Sequence, residues 1–101
     1  MALKVIVKPL VELDIQDAID WYIMVNEEKL AERFFNDYTD AIHTITKHPF
    51  IFQKVYKSIR LYCLNIFPYN IYYIAENNIV SIIAVIHHKR HSRIWKKRYT
   101  A

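Results

Sequence analysis

The stretch NIYYIAENNIVSIIAVI, residues 70–86, predicts two antiparallel strands joined by a tight turn. The segments Asn70–Ala75 and Ile79–Ile86 are rich in β-branched and aromatic residues, which favour strands. Asn77 and Asn78 lie between them, and in a chain without glycine asparagine is best able to adopt the positive φ angles of a two-residue turn. We therefore build the rest of the fold around this β-hairpin.

The two faces of the predicted β-hairpin differ in composition. A two-residue turn gives one wholly apolar face with these facing pairs: Ile71 with Ala84, Tyr73 with Ile82, and Ala75 with Val80. The other face is mixed, with Pro68 near His87 and these facing pairs: Asn70 with Val85, Tyr72 with Ile83, and Ile74 with Ser81. We expect other elements to cover the apolar face and the mixed face to remain open.

The residues before the β-hairpin predict another strand. Ile59, Leu61 and Cys63 share one side of this strand, because apolar residues recur there with a period of two, which is typical of strands. The turn at Phe67-Pro68 separates it from the β-hairpin, and the segment Pro49–Lys57 before it is expected to be a loop. Together these segments predict a meander of three antiparallel strands.

Two amphipathic helices are predicted upstream, after a short first strand over residues 3–7 that Pro9 ends. Apolar residues recur at helical spacing in two runs: Val11, Ile15, Ala18, Ile19 and Tyr22, then Ala31, Phe34, Phe35, Tyr38, Ile42 and Ile45. The polar residues 26–28 interrupt the pattern, and Pro49 forbids its continuation. The helices are expected to form an antiparallel hairpin.

The predicted order is β-α-α-β-β-β, an α+β fold in which the helical hairpin packs on one face of an antiparallel sheet. A chain of 101 residues fits one domain, residues 1–101, because a second core would leave neither half enough apolar surface to bury. Hydrophobic residues make up 53% of the chain, which is enough for a packed interior and argues against intrinsic disorder.

Charge is divided unequally along the chain. Residues 1–40 hold nine acids and four bases, whereas residues 41–101 hold one acid, Glu76, and ten bases. A basic half favours a polyanionic partner such as nucleic acid, or an acidic protein segment, through long-range attraction and counterion release. Charge alone does not choose between these partners.

Several classes of site and compartment are disfavoured. The chain has no glycine, which excludes dinucleotide-binding turns, Walker-type phosphate loops and the nucleophile elbow in their standard form. Its single cysteine, Cys63, cannot form an internal disulfide and is expected to be a small buried residue. No apolar run approaches the ~20 residues needed to span a bilayer, so we expect a cytoplasmic protein that makes no contact with a membrane.

The chain resembles the RelE/ParE toxins over almost its whole length. The segments that carry the resemblance are Ile59–Leu61, Phe67–Tyr73, the apolar strand Ile82–Ile86 with its following His87–Arg90, and the basic end Ser92–Arg98. The resemblance implies a toxin of a type II toxin–antitoxin, or plasmid stabilisation, module, held inactive by a cognate antitoxin that covers its basic surface. A homodimer and a heterotetramer with the antitoxin both remain open.

Two targets are implied by the resemblance: RelE-like members cut mRNA on the ribosome, whereas ParE-like members poison DNA gyrase and have lost the nuclease residues. In RelE-like nucleases an arginine follows the aromatic residue at the start of the third strand, where this chain has Asn70. This difference favours a ParE-like gyrase poison. A RelE-like endoribonuclease and a non-toxic nucleic-acid-binding module are the alternatives.

Metal-free cleavage of RNA needs a base, an acid and cations around one phosphate. If the chain is a nuclease, the predicted catalytic residues are His87, Arg60, Arg90 and Tyr99. The residues predicted to bind the target are Lys54, Lys57, Tyr72, Arg93, Lys96, Lys97 and Arg98. We expect Arg60, Tyr72 and His87 to emerge on a common, open side of the sheet.

Other polar and aromatic residues are assigned structural roles. His87 is as well suited to a capping role at a strand end as to proton transfer, and Trp95 is expected to anchor a short terminal helix. Trp21 and Tyr22 are expected to be packing residues, and the acids of the first helix, Asp14, Asp17 and Asp20, to form a solvated face. No metal site and no cofactor are expected, because no carboxylate or thiol accompanies the three histidines His87, His88 and His91 in sequence.

Overall fold

The computed structural model of the chain describes residues 3–25 and 27–99. It contains a mixed sheet and three helices, and the α+β class predicted from the sequence is confirmed. The elements, in chain order, are β1 (Lys4–Val7), α1 (Pro9–Met24), α2 (Glu28–Lys47), β2 (Lys54–Tyr56), β3 (Ile59–Cys63), β4 (Tyr69–Glu76), β5 (Ile79–His87) and α3 (Arg93–Tyr99).

The sheet has the strand order β1-β5-β4-β3-β2. Strands β2 to β5 form an antiparallel meander, but β1 pairs parallel to β5, with Val5 beside Val80 and Val7 beside Ile82. The prediction of a wholly antiparallel sheet was therefore wrong for this strand. The two helices between β1 and the meander bring the chain back over the sheet, which allows β1 and β5 to run in the same direction.

The β4–β5 turn is formed as predicted. Asn77 and Asn78 have φ angles of 53° and 62°, the left-handed values that a tight two-residue turn requires. The register close to the turn is also confirmed, since Tyr73 faces Ile82 and Ala75 faces Val80.

Further from the turn a β-bulge shifts this register by one residue. Tyr72 faces Ala84 while Tyr73 faces Ile82, so Ile83 is the extra residue. Ile71 consequently faces Val85 and not Ala84 as predicted. The bulge exchanges the faces of the following residues, because side chains alternate along a strand.

The helical hairpin covers one face of the sheet, which we call the hairpin face. Phe34 of α2 and Val11 of α1 are completely buried against this face, as are Tyr73 and Ile82 of the sheet. Pro9 is the first residue of α1, where its missing N–H costs no hydrogen bond. The predicted arrangement of helices on one side of the sheet is confirmed.

The opposite face is covered in part by α3, and we call it the α3 face. This differs from the open face that the sequence predicted. Trp95 anchors α3 as expected: it is 6% exposed and stacks on Tyr72, with ring centroids 4.4 Å apart. The buried residues of this second cluster are Ile59, Tyr72, Ile83, Ala84, Ile86 and Trp95. The bulge contributes by turning both Ile83 and Ala84 toward α3.

The segment predicted as a loop contains the short edge strand β2. Lys54 pairs with Arg60 and Tyr56 with Ile59, across a two-residue turn formed by Lys57 and Ser58. Lys57 has a φ angle of 51°, a conformation that is unfavourable for lysine. Alternation over only three residues is too short to distinguish a strand from a loop in sequence.

Within residues 3–25 and 27–99, no helix combines the length and the apolar character that crossing a bilayer would demand.

Candidate functional site

The residues predicted to share one open side of the sheet are separated. Arg60 and His87 lie on the hairpin face, because they pair with Tyr73 and Tyr69, which pack toward the helices. Tyr72 lies on the α3 face and is 6% exposed. The prediction of a common open side was wrong because Arg60 pairs with Tyr73 and so lies on the face opposite Tyr72, and because the bulge in β5 turns His87 to that same face.

Arg60 binds the loop that precedes β2 through hydrogen bonds to its backbone. Its Nη1 atom donates hydrogen bonds to the carbonyl oxygens of Phe50 and Phe52, at 3.1 and 2.7 Å. The Tyr73 hydroxyl donates to the Pro49 carbonyl in the same loop, at 2.8 Å. Burial raises the pKa of Tyr73 to about 12, while the nearby Arg60 acts in the opposite direction. Both side chains hold the loop on the sheet.

His87 lies at the end of β5, beside a small cleft of about 90 Å³ that Asp17, Tyr69 and Arg90 also line. Its Nδ1 accepts a hydrogen bond from the Lys89 backbone N–H at 3.1 Å, which is the geometry of a capping histidine. Desolvation, and then the neighbouring His88 and Lys89, lower the pKa of His87 below its ordinary value. The neutral imidazole is therefore favoured at neutral pH.

Tyr69 contributes a second ionisable group to this cleft. Its ring centroid lies 5.5 Å from that of His87. Desolvation raises the pKa of Tyr69, Asp17 adds to this effect, and Arg90 opposes it. The phenol therefore stays protonated at neutral pH and lines the cleft beside His87.

A buried ion pair joins α1 to α3 at the bulge of β5. Arg98 Nη1 and Nη2 donate to Asp14 Oδ2 and Oδ1, at 2.6 and 2.9 Å. Arg98 Nη1 also donates to the Ile83 carbonyl at 3.1 Å, and Asp14 Oδ2 accepts the Val85 backbone N–H at 3.0 Å. Since β1 ends at Val7, these side chains satisfy backbone groups of β5 that have no neighbouring strand.

This ion pair changes two predictions. Arg98 was assigned to target binding, but its side chain is 17% exposed and is engaged by Asp14. Asp14 was assigned to a solvated face, but its side chain is 8% exposed. The position of Asp14 beside the buried residues Val11, Ile15 and Ala18 was the available signal, since it lies at the border of their helical stripe.

Four residues on the α3 face form what we call the aromatic–lysine cluster: Tyr56, Lys57, Lys96 and Tyr99. Lys57 Nζ lies 5.3 Å from the ring centroid of Tyr56 and 5.4 Å from that of Tyr99. Lys96 Nζ lies 4.9 Å from the Tyr56 centroid. Contacts of this kind are cation–π interactions. The Tyr99 hydroxyl also accepts a hydrogen bond from Ser58 Oγ at 3.3 Å.

The remaining predicted cations surround this cluster or lie apart from it. Arg93 and Lys97 are exposed on α3, and Lys54 is exposed on the edge strand β2. Arg90 is exposed at the cleft beside His87. The structure therefore brings Lys57, Lys96 and Tyr99 together and leaves Arg60, His87 and Arg90 outside their group.

Three other predictions need correction or addition. Cys63 is exposed at the end of β3 and is not buried. Trp21 is 53% exposed, whereas its neighbour Tyr22 packs against Phe67 as expected. Asn70 is buried and its Nδ2 donates to the Tyr72 hydroxyl at 3.2 Å, a structural role that its place in the sequence did not reveal. In the described part of the chain, no group of three or more His, Cys, Asp or Glu residues is arranged to hold a metal ion.

Comparison with known proteins agrees with this architecture. The profile of the family described as "ParE toxin of type II toxin-antitoxin system, parDE" matches residues 5–92. A chain of the solved structure described as "Chromosomal ParDE TA system from P. aeruginosa" has a TM-score of 0.76 and 10% sequence identity, over 85% of this chain and 96% of that one. No curated protein matches the chain. The length of the family match shows that this chain belongs to the ParE toxin family.

Proposed function

We propose that the chain is the growth-inhibiting toxin of a type II toxin–antitoxin pair, and that it acts in the cytoplasm by poisoning DNA gyrase. The family match over residues 5–92 carries this proposal, because ParE-like toxins are the gyrase poisons of the superfamily that the sequence resembles. A cognate antitoxin neutralises it.

The separation of the candidate nuclease groups supports binding to a target over cleavage of RNA. Arg60 is occupied by the loop carbonyls of Phe50 and Phe52, and His87 lies beside Tyr69 on the hairpin face. Tyr99 lies on the α3 face. Acid–base catalysis requires these groups around one phosphate, and their positions do not allow it without a rearrangement.

The target-binding surface in this proposal is the basic side of α3. Arg93, Lys96 and Lys97 project from a helix that Trp95 and Arg98 fix to the sheet. Because Trp95 and Arg98 fix α3 to the sheet, the backbone positions of these cations are set before a partner arrives. Positive charge in such an arrangement favours an acidic protein surface or the DNA that gyrase holds.

The antitoxin-binding surface in this proposal is the outward stripe of α1. Leu10, Leu13, Trp21 and Met24 are 47%, 61%, 53% and 70% exposed, although α1 also buries its opposite side. Leu10 with Leu13 and Trp21 with Met24 form two apolar pairs on one side of the helix, with Asp17 and Asp20 between them, and their span of ~21 Å suits a second helix. Exposed apolar stripes of this kind commonly mark binding sites.

The charges on α1 define the chemistry of that antitoxin helix. Helix α1 contains four acids, Glu12, Asp14, Asp17 and Asp20, and no lysine or arginine. A partner helix therefore needs aliphatic residues opposite the apolar stripe and lysine or arginine opposite Asp17 and Asp20. The same acids disfavour self-association through this stripe, since they would face each other across a two-fold axis.

Growth assays test the proposal. Expression of the chain alone should arrest bacterial growth, and co-expression of the small protein encoded beside its gene should restore it. Leu13→Glu should still arrest growth but should no longer be neutralised, whereas Phe50→Glu, at an exposed apolar site away from α1, should remain neutralised. Normal growth with an expressed, folded wild-type chain would refute toxicity, and full neutralisation of Leu13→Glu would refute the antitoxin surface.

A further inference from the structure

The α3 face carries a second feature, the aromatic–lysine cluster, which shares Lys96 with the proposed gyrase-binding surface. In the aromatic–lysine cluster two ammonium groups approach one tyrosine ring, at 5.3 Å for Lys57 and 4.9 Å for Lys96. Among the described residues, the only salt bridge is that of Arg98 with Asp14. Within residues 3–25 and 27–99, both lysines contact aromatic rings and neither forms a salt bridge with a carboxylate.

The conformation of Lys57 is a second observation at the same place. Its φ angle of 51° is unfavourable for a residue with a β-carbon, by about 1–2 kcal/mol. The strands on either side of Lys57, β2 and β3, are short. In the corresponding turn between β4 and β5 the positive φ angles belong to asparagine, which tolerates this conformation better than lysine does. Backbone strain that a sequence retains is concentrated at functional sites.

The rings of the cluster are held but not fully buried. Tyr56 and Tyr99 are both partly exposed and lie 6.1 Å apart, edge to face. Trp95 supports Tyr56 from beneath, at 6.3 Å, and is itself stacked on Tyr72. Both tyrosines are therefore held by packed neighbours with part of each ring exposed, and the lysine ammonium groups lie over the rings where a flat ligand would stack in their place.

We infer that the aromatic–lysine cluster binds single-stranded nucleic acid, with bases against Tyr56 and Tyr99 and phosphates at Lys57 and Lys96. Stacking platforms interleaved with cations are the arrangement that recognises unpaired strands, because every base has a stacking face and every linkage carries a negative charge. A duplex hides those faces, and the carboxylates of an acidic peptide carry no ring of base size to stack on tyrosine. The inference goes beyond the proposed function, since it concerns the purified chain without gyrase or antitoxin.

Fluorescence anisotropy with labelled oligonucleotides tests this inference. The probes are oligothymidylate and oligouridylate of about 12 nucleotides, a length within the range of known single-strand sites, and a duplex of equal length. We expect both single strands to bind the full chain, and the duplex to bind about tenfold more weakly. Comparison of the affinities for the two single strands shows whether DNA or RNA is the preferred ligand.

Variants of the cluster separate the contribution of charge to oligonucleotide binding from the contribution of stacking. Between about 50 and 200 mM salt, Lys57→Gln and Lys96→Gln should each make the slope of log affinity against log salt shallower by about 0.7, the value for one lost contact to single-stranded phosphate. Tyr99→Leu should weaken binding at least about fivefold and leave the slope unchanged. Lys29→Gln, an exposed lysine on α2, is the matched control and should behave as wild type.

Near-ultraviolet circular dichroism of the Trp95–Tyr72 stack shows whether each variant keeps α3 in place. Three results would overturn the inference: no binding of either single strand at low salt, equal binding of duplex and single strand, or cluster variants that match Lys29→Gln. Displacement of the oligonucleotide by polyglutamate, with the same dependence on Tyr99, would also overturn it and would indicate an acidic protein segment as the ligand. Growth arrest without oligonucleotide binding would leave the proposed function intact.

Discussion

Replacing Asp14 with asparagine removes the negative charge that joins α1, β5 and α3 while keeping almost the same shape. The carboxylate accepts two hydrogen bonds from Arg98, at 2.6 and 2.9 Å, and one from the Val85 N–H at the bulge. An asparagine oxygen at the Oδ2 position can still accept from Arg98 Nη1 and the Val85 N–H, but the amide NH2 at the other position cannot accept from Arg98 Nη2. Arg98 would then retain its charge in a largely buried place, with only the Ile83 carbonyl and part of the amide as partners.

The expected loss of stability follows from the burial of the pair. The Asp14 and Arg98 side chains are 8% and 17% exposed. Breaking a buried ion pair by removing one partner costs about 3–5 kcal/mol, because the other charge is left uncompensated. The remaining exposure of Arg98 and the retained acceptor of asparagine place this variant near the lower end, at about 3 kcal/mol.

Urea denaturation followed by circular dichroism measures this loss. With an m value of about 1–3 kcal/mol/M, a loss of ~3 kcal/mol lowers the unfolding midpoint by about 1–3 M. Asp20→Asn is the matched control: it removes an exposed acid of the same helix, whose partner is Gln16, and should cost less than about 0.5 kcal/mol.

A double-mutant cycle identifies the partner. Arg98→Met should also destabilise the chain, and the two changes together should cost at least about 1 kcal/mol less than the sum of the single costs. The reasoning would be refuted if Asp14→Asn behaved like Asp20→Asn, or if the costs of Asp14→Asn and Arg98→Met were additive. Either result would mean that the ion pair does not hold α3 against the sheet.

Three further predictions concern the packing of α3 on the sheet, the β4–β5 turn and the buried hydroxyl of Tyr73. Trp95→Ala should cost about 3 kcal/mol and abolish the near-ultraviolet dichroism of its stack on Tyr72, measured on the same samples; an unchanged spectrum would mean that α3 does not pack there. Asn78→Ala should destabilise the chain by about 1 kcal/mol in thermal melts while Asn78→Gly does not, because the φ angle at this position is positive. Since the pKa of Tyr73 is raised to about 12 from its ordinary 10, folding stability should fall as the pH rises from about 10 to about 12; Tyr73→Phe, which lacks the ionising hydroxyl, should remove this component, and an identical alkaline profile would contradict it.

Local rules were sufficient for the elements whose form depends on neighbouring residues. The β4–β5 turn was predictable because Asn77 and Asn78 tolerate positive φ and separate two β-rich segments. The helical hairpin was predictable because its apolar stripes have a period near 3.6 and are bounded by Pro9 and Pro49. In these places local preference and tertiary structure agree.

The faces of the sheet were not predictable to the same extent. The backbone at the bulge of Ile83 is bonded by Asp14 and Arg98, which lie 69 and 15 residues from Ile83 in sequence, and no local pattern marks these contacts. One extra residue turns His87 from the expected side to the other. Likewise, the length of α3 did not reveal that this helix covers part of the second face of the sheet, although Trp95 correctly indicated that the helix is anchored.

The site was predictable as a composition but not as an arrangement. Basic residues and aromatic rings in the second half of the chain indicated a surface for a polyanion, and Lys57, Lys96 and Tyr99 do come together. Arg98, which has the same character in sequence, is used inside the fold because Asp14 lies opposite it. Charge patterns alone do not distinguish a cation that binds a partner from one that binds its own chain.

A supercoiling assay tests most directly whether the chain poisons gyrase through the basic side of α3. In this assay purified gyrase supercoils relaxed plasmid in the presence of the full chain. The wild-type chain should inhibit supercoiling, and the doubly charge-reversed variant Arg93→Glu/Lys97→Glu should not, while both retain the near-ultraviolet signal of the Trp95 stack. Undiminished supercoiling in the presence of a wild-type chain that arrests growth would contradict the assignment of gyrase as the target. Equal inhibition by the variant would contradict the assignment of α3 as the surface that binds it.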